Sequence, residues 1–329
     1  MRGLIIYSIL LLCATAKIAS MPEHSFDGYL YSYVVSHDVK EFKSNGGVPA
    51  GYVAMPDQSY VQQAPYYRVK VFFVLLVRGA AKFFGVIRAP FVVSALAYFL
   101  SGLAVWFWLR AAGVNEPWRS LTGLFLMFSS VATDTARMGT PDMLCTLLLV
   151  LGAYLLLQTG HSVYGGVLLL LSVLTRTDCL ILASGLIALA LWKKRVGPRF
   201  AGISLALFAA GYFAISRIGY SYGQLLAFTV RTGYVRGFLH GFAKTELAIY
   251  APFALLALIA LKRAYERELI VLCAITLGVR YVLLPHLEIR YLLPQAMIVG
   301  IVGAASVLTS AKFEGMRPAA DVASANRAS

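Results

Sequence analysis

Long apolar runs alternate with short polar connectors along most of the chain. A helix needs about 20 apolar residues to cross a bilayer, and the runs reach or approach that length. The pattern predicts an all-α, polytopic transmembrane helical bundle with about ten spans. The predicted spans are residues 3–20, 90–109, 118–133, 141–158, 162–175, 178–192, 200–216, 246–261, 268–285 and 290–310.

Residues 69–87 (VKVFFVLLVRGAAKFFGVI) are apolar but carry Arg78 and Lys82 one helical turn apart. A basic amphipathic helix can lie in the membrane interface instead of crossing the bilayer. If this segment does not cross and the N-terminus is cytosolic, the basic WKKR connector at 192–195 falls on the inner side, as the positive-inside tendency requires. We therefore predict a long first outer loop, 21–89, that carries interfacial helices.

The composition supports a membrane protein, because 59% of the 329 residues are hydrophobic and only 13% are charged. Soluble domains have about 25% charged residues. The net charge of +14 does not indicate nucleic-acid binding, since no aromatic-basic recognition motif is present and much of the charge lies in connectors. Some of this charge could hold the headgroups of membrane lipids. We expect a multi-pass protein, integral to the cell (inner) membrane.

The four cysteines all lie in apolar spans, without a CxxC pair: Cys13, Cys145, Cys179 and Cys273. They are interpreted as small core residues, with neither a disulfide framework nor a metal site.

The N-terminal run after Arg2 is compatible with a signal peptide, but Lys17 also suits the end of a retained span, which we favour. One transmembrane domain is predicted over 1–312, followed by a disordered tail over 313–329.

Ionisable residues recur at the ends of spans on the predicted outer side. Asp27 lies in FDGYLYSYVV, where the chain leaves the membrane. A carboxylate at this position could accept a proton from an acceptor hydroxyl or bind a cation. The alternative interpretation is a helix-capping or simply solvated aspartate.

Two further outer turns combine acids with arginine. In TDTARMGTPD (133–142), Arg137 and Asp142 are close enough in sequence to pair, although Asp142 would also suit the first turn of a helix. In LTRTDCLIL, Arg176 and Asp178 occupy a tight turn between apolar runs. Ionisable residues at the membrane surface are costly unless they are paired or solvated, so these two could simply pair with each other or with the charged residues of the 133–142 turn.

Basic and aromatic residues follow later in the chain. Glu288, Arg290 and Tyr291 lie in LPHLEIRYLLP, and Arg231 and Arg236 lie in a basic loop, 217–244, on the predicted outer side. The planar guanidinium fork suits phosphate. The alternative is a belt of Arg and Tyr that anchors the protein at the headgroup level.

This order of features resembles the C-type glycosyltransferase superfamily, whose membrane enzymes take sugars from polyprenyl-phosphate carriers. It is most similar to the protein mannosyltransferase and aminoarabinose transferase branch, or to the related bacterial branch that uses polyprenol-phosphate-mannose. The matching motifs are FDGYLYSY, RMGTPDMLCTLLLVLGAYLL, LTRTD and RYLLP.

The resemblance implies an inverting transfer on the periplasmic (extracytoplasmic) face. It implies Asp27 as the general base or acceptor-positioning group, and Asp142 with Arg137 as the acidic second outer turn. Arg290 and the basic residues of 217–244 would hold the lipid-linked phosphate. Some members use a divalent cation, so Mg²⁺ or Mn²⁺ could be bound by paired acids here.

The sequence therefore predicts a membrane glycosyltransferase, a hexosyl or pentosyl transferase whose donor is a polyprenyl-phosphate sugar. Its acceptor would be a glycan, a lipid or a protein, and nucleic acid is not expected as a partner. The alternatives are a transporter or lipid flippase, which would place polar groups near the membrane midplane in two related halves, and a non-catalytic scaffold.

Overall fold

The computed structural model describes residues 2–23, 25–36, 38–219, 250–262, 267–283 and 289–314. Within these ranges the chain is helical and contains no strand. The helices are α1 (Arg2–Ser20), α2 (Phe26–Ser36), α3 (Val39–Ser44), α4 (Ala50–Val53), α5 (Asp57–Arg68), α6 (Val71–Phe84), α7 (Ala89–Ala111), α8 (Trp118–Met127), α9 (Ser130–Arg137), α10 (Pro141–Tyr154, continued by a π-helical turn, Leu155–Thr159), α11 (Ser162–Thr175), α12 (Cys179–Trp192), α13 (Pro198–Ser216), α14 (Ala251–Lys262), α15 (Arg267–Leu283) and, after a 3₁₀ turn (Ile289–Leu292), α16 (Leu293–Glu314).

In the described part of the chain, five helical segments are long and apolar enough to cross a membrane: Gly3–Ser20, Ala89–Ala111, Pro141–Thr159, Pro198–Ser216 and Arg290–Thr309. Three shorter apolar helices accompany them: Ser162–Thr175, Cys179–Trp192 and Ala251–Leu261. These segments are the membrane-compatible part of the predicted bundle.

The long helices differ in how deeply they lie in the bundle. α10 and α16 are mostly buried by their neighbours, whereas α1 and α13 leave most of their apolar surface uncovered. On α1, the side chains of Ile5, Ile6 and Ile9 are more than half exposed. Extended apolar surface of this kind is typical of a face that contacts lipid.

The segment predicted as one span at 118–133 is two helices, so a continuous span at this place is wrong. α8 ends at Met127 and α9 begins at Ser130, with the extended residue Ser129 between them. The Ser129 hydroxyl donates to the carbonyl of Leu126 at 2.7 Å, which closes the end of α8. A serine can satisfy a terminal helical carbonyl in this way, and the apolar residues on both sides conceal the break.

Residues 26–68 pack through a cluster of aromatic rings from α2 to α5. Tyr33 lies 5.5 Å from Tyr60, which lies 5.3 Å from Phe42, and Tyr29 lies 5.1 Å from Tyr52. Tyr29, Phe42 and Tyr60 are buried. Ring pairs at such distances contribute to packing beyond the area that they bury. The short helices thus form a packed unit that fixes α2 against α5.

A close approach at Gly28 brings α2 against the turn before α10. A Cβ atom at Gly28 would lie only 2.5 Å from the carbonyl oxygen of Met138. Beside it, the Ser25 hydroxyl donates to the same carbonyl at 2.8 Å, and the Glu23 amide donates to the carbonyl of Arg137 at 2.9 Å. Only glycine allows this contact, which brings the start of α2 close to the start of α10.

The cysteines depart from the prediction. Cys145 on α10 and Cys179 at the start of α12 form a disulfide across 34 residues. Cys13 is free but exposed, and only Cys273 is a free, buried residue as predicted. Neither paired cysteine belongs to a short Cys motif, so only the packing of α10 near α12 reveals the pair.

Candidate functional site

A charged cluster lies where the starts of α2, α10, α12 and α16 meet the ends of α11 and α15. Among the described residues it consists of three carboxylates and three guanidinium groups that alternate through space. In order of contact they are Asp27, Arg290, Asp142, Arg176, Asp178 and Arg280. Segments far apart in sequence therefore supply one continuous network.

Asp27, in the first turn of α2, is held at both oxygens. Its Oδ1 accepts a hydrogen bond from the Tyr67 hydroxyl, and its Oδ2 lies 2.5 Å from Nη2 of Arg290. Tyr67 is placed by α5 and packs edge-on against Tyr31, with 4.9 Å between the ring centroids. A carboxylate oxygen has two acceptor sites, so each Asp27 oxygen retains capacity for one more donor.

Asp142 is the most buried carboxylate of the charged cluster, with 3% of its residue surface exposed. It follows Pro141 in the first turn of α10, as the sequence suggested. Its Oδ2 accepts from the Thr140 hydroxyl at 2.6 Å and lies 3.9 Å from Nε of Arg290, and its Oδ1 pairs with Arg176. Arg290 therefore contacts both predicted catalytic carboxylates, Asp27 and Asp142.

Asp178, at the start of α12, joins two arginines. The Arg176 guanidinium meets both of its oxygens, at 3.0 Å and 2.7 Å, and Nε of Arg280 lies 2.9 Å from Oδ2. Burial opposes ionisation of Asp178, but the two guanidinium groups outweigh it and hold the pKa of this carboxyl well below its usual range. Asp178 is therefore a fixed negative charge.

Tyr291 lies against all three guanidinium groups. Its ring centroid is 4.5 Å from the Arg176 guanidinium carbon, 4.7 Å from that of Arg280 and 5.0 Å from that of Arg290. Its main-chain carbonyl accepts from Nη1 of Arg280 at 3.0 Å. The 3₁₀ turn before α16 thus supplies both Arg290 and the ring that the arginines share.

Lys70, immediately before α6, adds a further positive charge beside the charged cluster. Its Nζ donates to the carbonyl of Tyr66 at 2.5 Å. Burial, followed by the charge of Arg176, lowers the pKa of Lys70 to about 8, although Asp178 and Asp27 act in the opposite direction. With three carboxylates opposed to three guanidinium groups, Lys70 supplies the excess positive charge when it is protonated.

Six of the ten predicted site residues come together here: Asp27, Asp142, Arg176, Asp178, Arg290 and Tyr291. Arg137 does not join them. Its Nε donates to the carbonyl of Met21 at 2.9 Å and its Nη1 lies 3.9 Å from Asp134, whereas the predicted pairing with Asp142 is wrong. The Asp142 side chain turns inward at the start of α10, while Arg137 stays at the surface. Arg231, Arg236 and Glu288 lie outside the described residues.

Tyr67, Lys70 and Thr140 were not predicted as site residues, and the contact between Arg280 and Asp178 was not predicted. Tyr67 is 40 residues from Asp27, and Arg280 is 102 residues from Asp178. Lys70 stands at the start of an apolar run, where it reads as a flanking anchor. The local pattern carries no signal for these contacts, which arise only from the packing of α5, α6 and α15.

A small cavity lies beside the charged cluster. It measures about 20 Å³, which is room for a water molecule but not for a sugar. Charged groups and apolar side chains line it, among them Arg176, Asp178, Arg280 and Gln295. The Gln295 Oε1 atom is buried and accepts no hydrogen bond from the part of the chain that the structure describes. A sugar-sized ligand would have to displace part of this wall or bind outside the cavity.

Within the described ranges, no group of three His, Cys, Asp or Glu side chains could hold a metal ion. The carboxylates of the charged cluster are instead paired with guanidinium groups. Comparison of the chain with protein-family models, with curated proteins and with solved structures finds no match. The case for a function therefore depends on the chemistry of the charged cluster and on the motifs around it.

Proposed function

We propose that the chain is a membrane glycosyltransferase that moves a sugar from a polyprenyl-phosphate carrier to a glycan, lipid or protein acceptor, with inversion. The observation that carries the proposal is the position of Arg290, which contacts the side chains of both Asp27 and Asp142. A phosphate-binding cation beside two carboxylates is the combination that such a transfer needs.

In the proposed reaction, an acceptor hydroxyl oxygen attacks the anomeric carbon of the donor sugar. The bond between that carbon and the phosphate oxygen breaks, and both electrons leave with the phosphate. Asp27 takes the proton of the acceptor hydroxyl as the new bond forms. The product sugar has the opposite anomeric configuration, because the oxygen enters on the face opposite the leaving group.

Charge develops on the phosphate as the bond breaks. Guanidinium groups that are already in position stabilise this charge more than they stabilise the ground state, so they accelerate the reaction. Arg290 is the first candidate for this role, since it is the arginine that contacts Asp27. Arg176 and Arg280 are deeper and more firmly paired with Asp178. Lys70 adds a further positive charge beside these arginines when it is protonated.

The proposal includes a topology. The charged cluster would face the extracytoplasmic side of the cell (inner) membrane, with about ten spans and with α2 to α6 in a long first outer loop. The exposed rings of Phe83 and Phe84 at the end of α6 suit an interfacial helix that dips into lipid. A divalent cation, Mg²⁺ or Mn²⁺, remains part of the proposal only as an optional partner of the substrate phosphate.

The test is sugar transfer by the purified full chain in lipid nanodiscs. The chain is incubated with a panel of radiolabelled polyprenyl-phosphate hexoses and pentoses and with extracted lipids, glycans and membrane proteins as acceptors. We expect label in one acceptor class with the wild type and none with Asp27→Asn. Asp134→Asn, an exposed carboxylate outside the charged cluster, is the matched control. Equal transfer by Asp27→Asn would remove Asp27 as the base, and movement of unaltered donor across a bilayer without transfer would favour a flippase.

A further inference from the structure

Tyr291 was predicted from the sequence as a substrate-binding residue, but its surroundings indicate a different role. Its ring centroid lies within 5.0 Å of the guanidinium carbons of Arg176, Arg280 and Arg290. Its hydroxyl accepts from Nη2 of Arg290 at 3.3 Å, and its carbonyl accepts from Arg280 at 3.0 Å. One residue thus contacts every arginine of the charged cluster.

Three guanidinium groups so close together repel one another. Asp178 offsets part of this repulsion for Arg176 and Arg280, and Asp27 and Asp142 offset part of it for Arg290. The aromatic ring adds a negative face to which cations are attracted, and this attraction grows when the groups are desolvated. Arg176 and Arg280 are both buried, so the ring acts where water screens least.

The three arginines also come from separate parts of the chain. Arg176 follows α11, Arg280 is in the last turn of α15, and Arg290 lies in the turn before α16. No single helix holds them in register. The Tyr291 ring, which all three arginines contact, can therefore fix the distances between their guanidinium groups before a ligand binds.

We infer that Tyr291 is a positioning residue, whose ring holds the three guanidinium groups together as a preformed binding site for the phosphate of a lipid-linked donor. This inference rests on the proposed function and deepens it. It differs from a direct substrate contact because the aromatic face, and not the hydroxyl, is what matters. Preorganisation of this kind lowers the cost of binding, since the charged groups need not be gathered when the ligand binds.

The probe is a sugar-free polyprenyl phosphate, whose dissociation constant is measured with the full chain in nanodiscs. Losing the aromatic face in Tyr291→Leu should weaken binding about tenfold, as expected when several partly desolvated cation–π contacts are lost. Tyr291→Phe keeps the ring and should stay within about threefold of the wild type, since it loses only one long hydrogen bond. Tyr164→Leu makes the same change at an exposed tyrosine on α11 and should leave binding unaltered.

Methionine has a volume similar to that of leucine and also lacks an aromatic face. Tyr291→Met therefore replaces Tyr291→Leu if the purified Leu variant is not monodisperse. If the ring positions the arginines, Tyr291→Met and Tyr291→Leu should lose the same affinity for polyprenyl phosphate, and Tyr291→Phe should retain it. If Tyr291→Phe loses as much affinity as Tyr291→Leu, the hydroxyl and not the ring supports binding, and the inference is overturned. If the wild type binds the probe and the Leu variant binds equally well, the inference alone fails. A wild type that binds no polyprenyl phosphate overturns the proposed function as well.

Discussion

Nη2 of Arg290 lies 2.5 Å from Oδ2 of Asp27, although 263 residues separate the two in the chain. The pair joins the start of α2 to the turn before α16, and with Asp142 beside it the same arginine contacts two carboxylates. Arg290 therefore has two competing demands in the proposed reaction. It neutralises the base in the unliganded protein, and it would bind the donor phosphate when substrate is present.

This competition predicts that Asp27→Asn binds the donor phosphate more tightly than the wild type, even though it does not transfer sugar. The amide cannot form an ion pair with Arg290, so one of the carboxylates that compete with phosphate for this guanidinium is removed, while Asp142 stays beside it. We expect the dissociation constant of polyprenyl phosphate to fall by about threefold to tenfold, the effect of removing one charged competitor. The measurement is equilibrium binding in nanodiscs, with Asp134→Asn as the control. Weaker binding by Asp27→Asn would mean that Asp27 supports the phosphate site and does not compete with it.

Arg290→Ala should weaken the donor interaction more than the acceptor interaction. Loss of a charge-assisted contact to phosphate costs about 2 kcal/mol or more, which corresponds to a rise of at least about thirtyfold in the donor KM. Steady-state kinetics with donor and acceptor varied separately measures the effect. Arg68→Ala, at an exposed arginine near the end of α5, should change neither value. An unaltered donor KM in Arg290→Ala would count against its phosphate role.

Donor binding should become weaker as the pH rises through the pKa of Lys70. Burial and the neighbouring Arg176 lower that pKa to about 8, so the positive charge is present below this pH and is lost above it. The other charged groups that act on Lys70 are Asp178, Asp27 and Arg290. Lys70→Arg keeps its charge throughout the range because guanidinium does not titrate there. It should abolish the decline in affinity between about pH 7 and about pH 9.

The control for this experiment is Lys40→Arg, at an exposed lysine of the same outer segment. It should retain the decline seen in the wild type. A decline of equal size in Lys70→Arg would assign the pH dependence to another group.

Asp178→Asn should destabilise the fold by about 3–5 kcal/mol at neutral pH, because it leaves Arg176 and Arg280 buried without their shared carboxylate. The folded-state pKa of Asp178 lies below its ordinary value of 3.8. Its stabilisation is therefore fully present above that value and is lost as the pH falls below it. Thermal unfolding in detergent at several pH values measures both effects. A variant as stable as the wild type would show that water or lipid already compensates the two arginines.

The topology predicts that positions 40 and 195 face opposite sides of the membrane. Lys40→Cys and Arg195→Cys are each introduced into a chain whose exposed Cys13 is replaced by Ser. An impermeant thiol reagent applied to intact cells should label position 40 alone, and both positions should react after the membrane is opened. Labelling of both positions from outside would contradict the proposed arrangement.

The hydrophobic pattern located most helices well, because polar turns bound them. The TRTD turn separates α11 from α12, and the predicted 162–175 span coincides with Ser162–Thr175. The pattern failed at 118–133, where a break at Ser129 is hidden among apolar residues. Hydropathy measures apolar content and not the continuity of the backbone, so a break of one or two residues leaves no trace in it.

The charged cluster was predictable in part. Asp27, Asp142 and Arg290 could be assigned to one side of the membrane from the alternation of spans and from the motifs around them. Their pairing could not be predicted. It depends on how folding orients the side chains of residues that lie more than a hundred positions apart in the sequence. Arg137 illustrates the limit, because it is five residues from Asp142 and still turns to the carbonyl of Met21.

The contact at Gly28 has a consequence for how the protein can vary. Its neighbour Asp27 contacts Arg290 where the backbone at 28 lies against the carbonyl of Met138, with no room for a methyl group between them. An alanine at position 28 would push α2 away from the turn before α10. We expect this shift to increase the distance between the side chains of Asp27 and Arg290. A substitution at position 28 would therefore change the distance between the Asp27 carboxylate and the Arg290 guanidinium. It would weaken their electrostatic interaction without altering any ionisable residue.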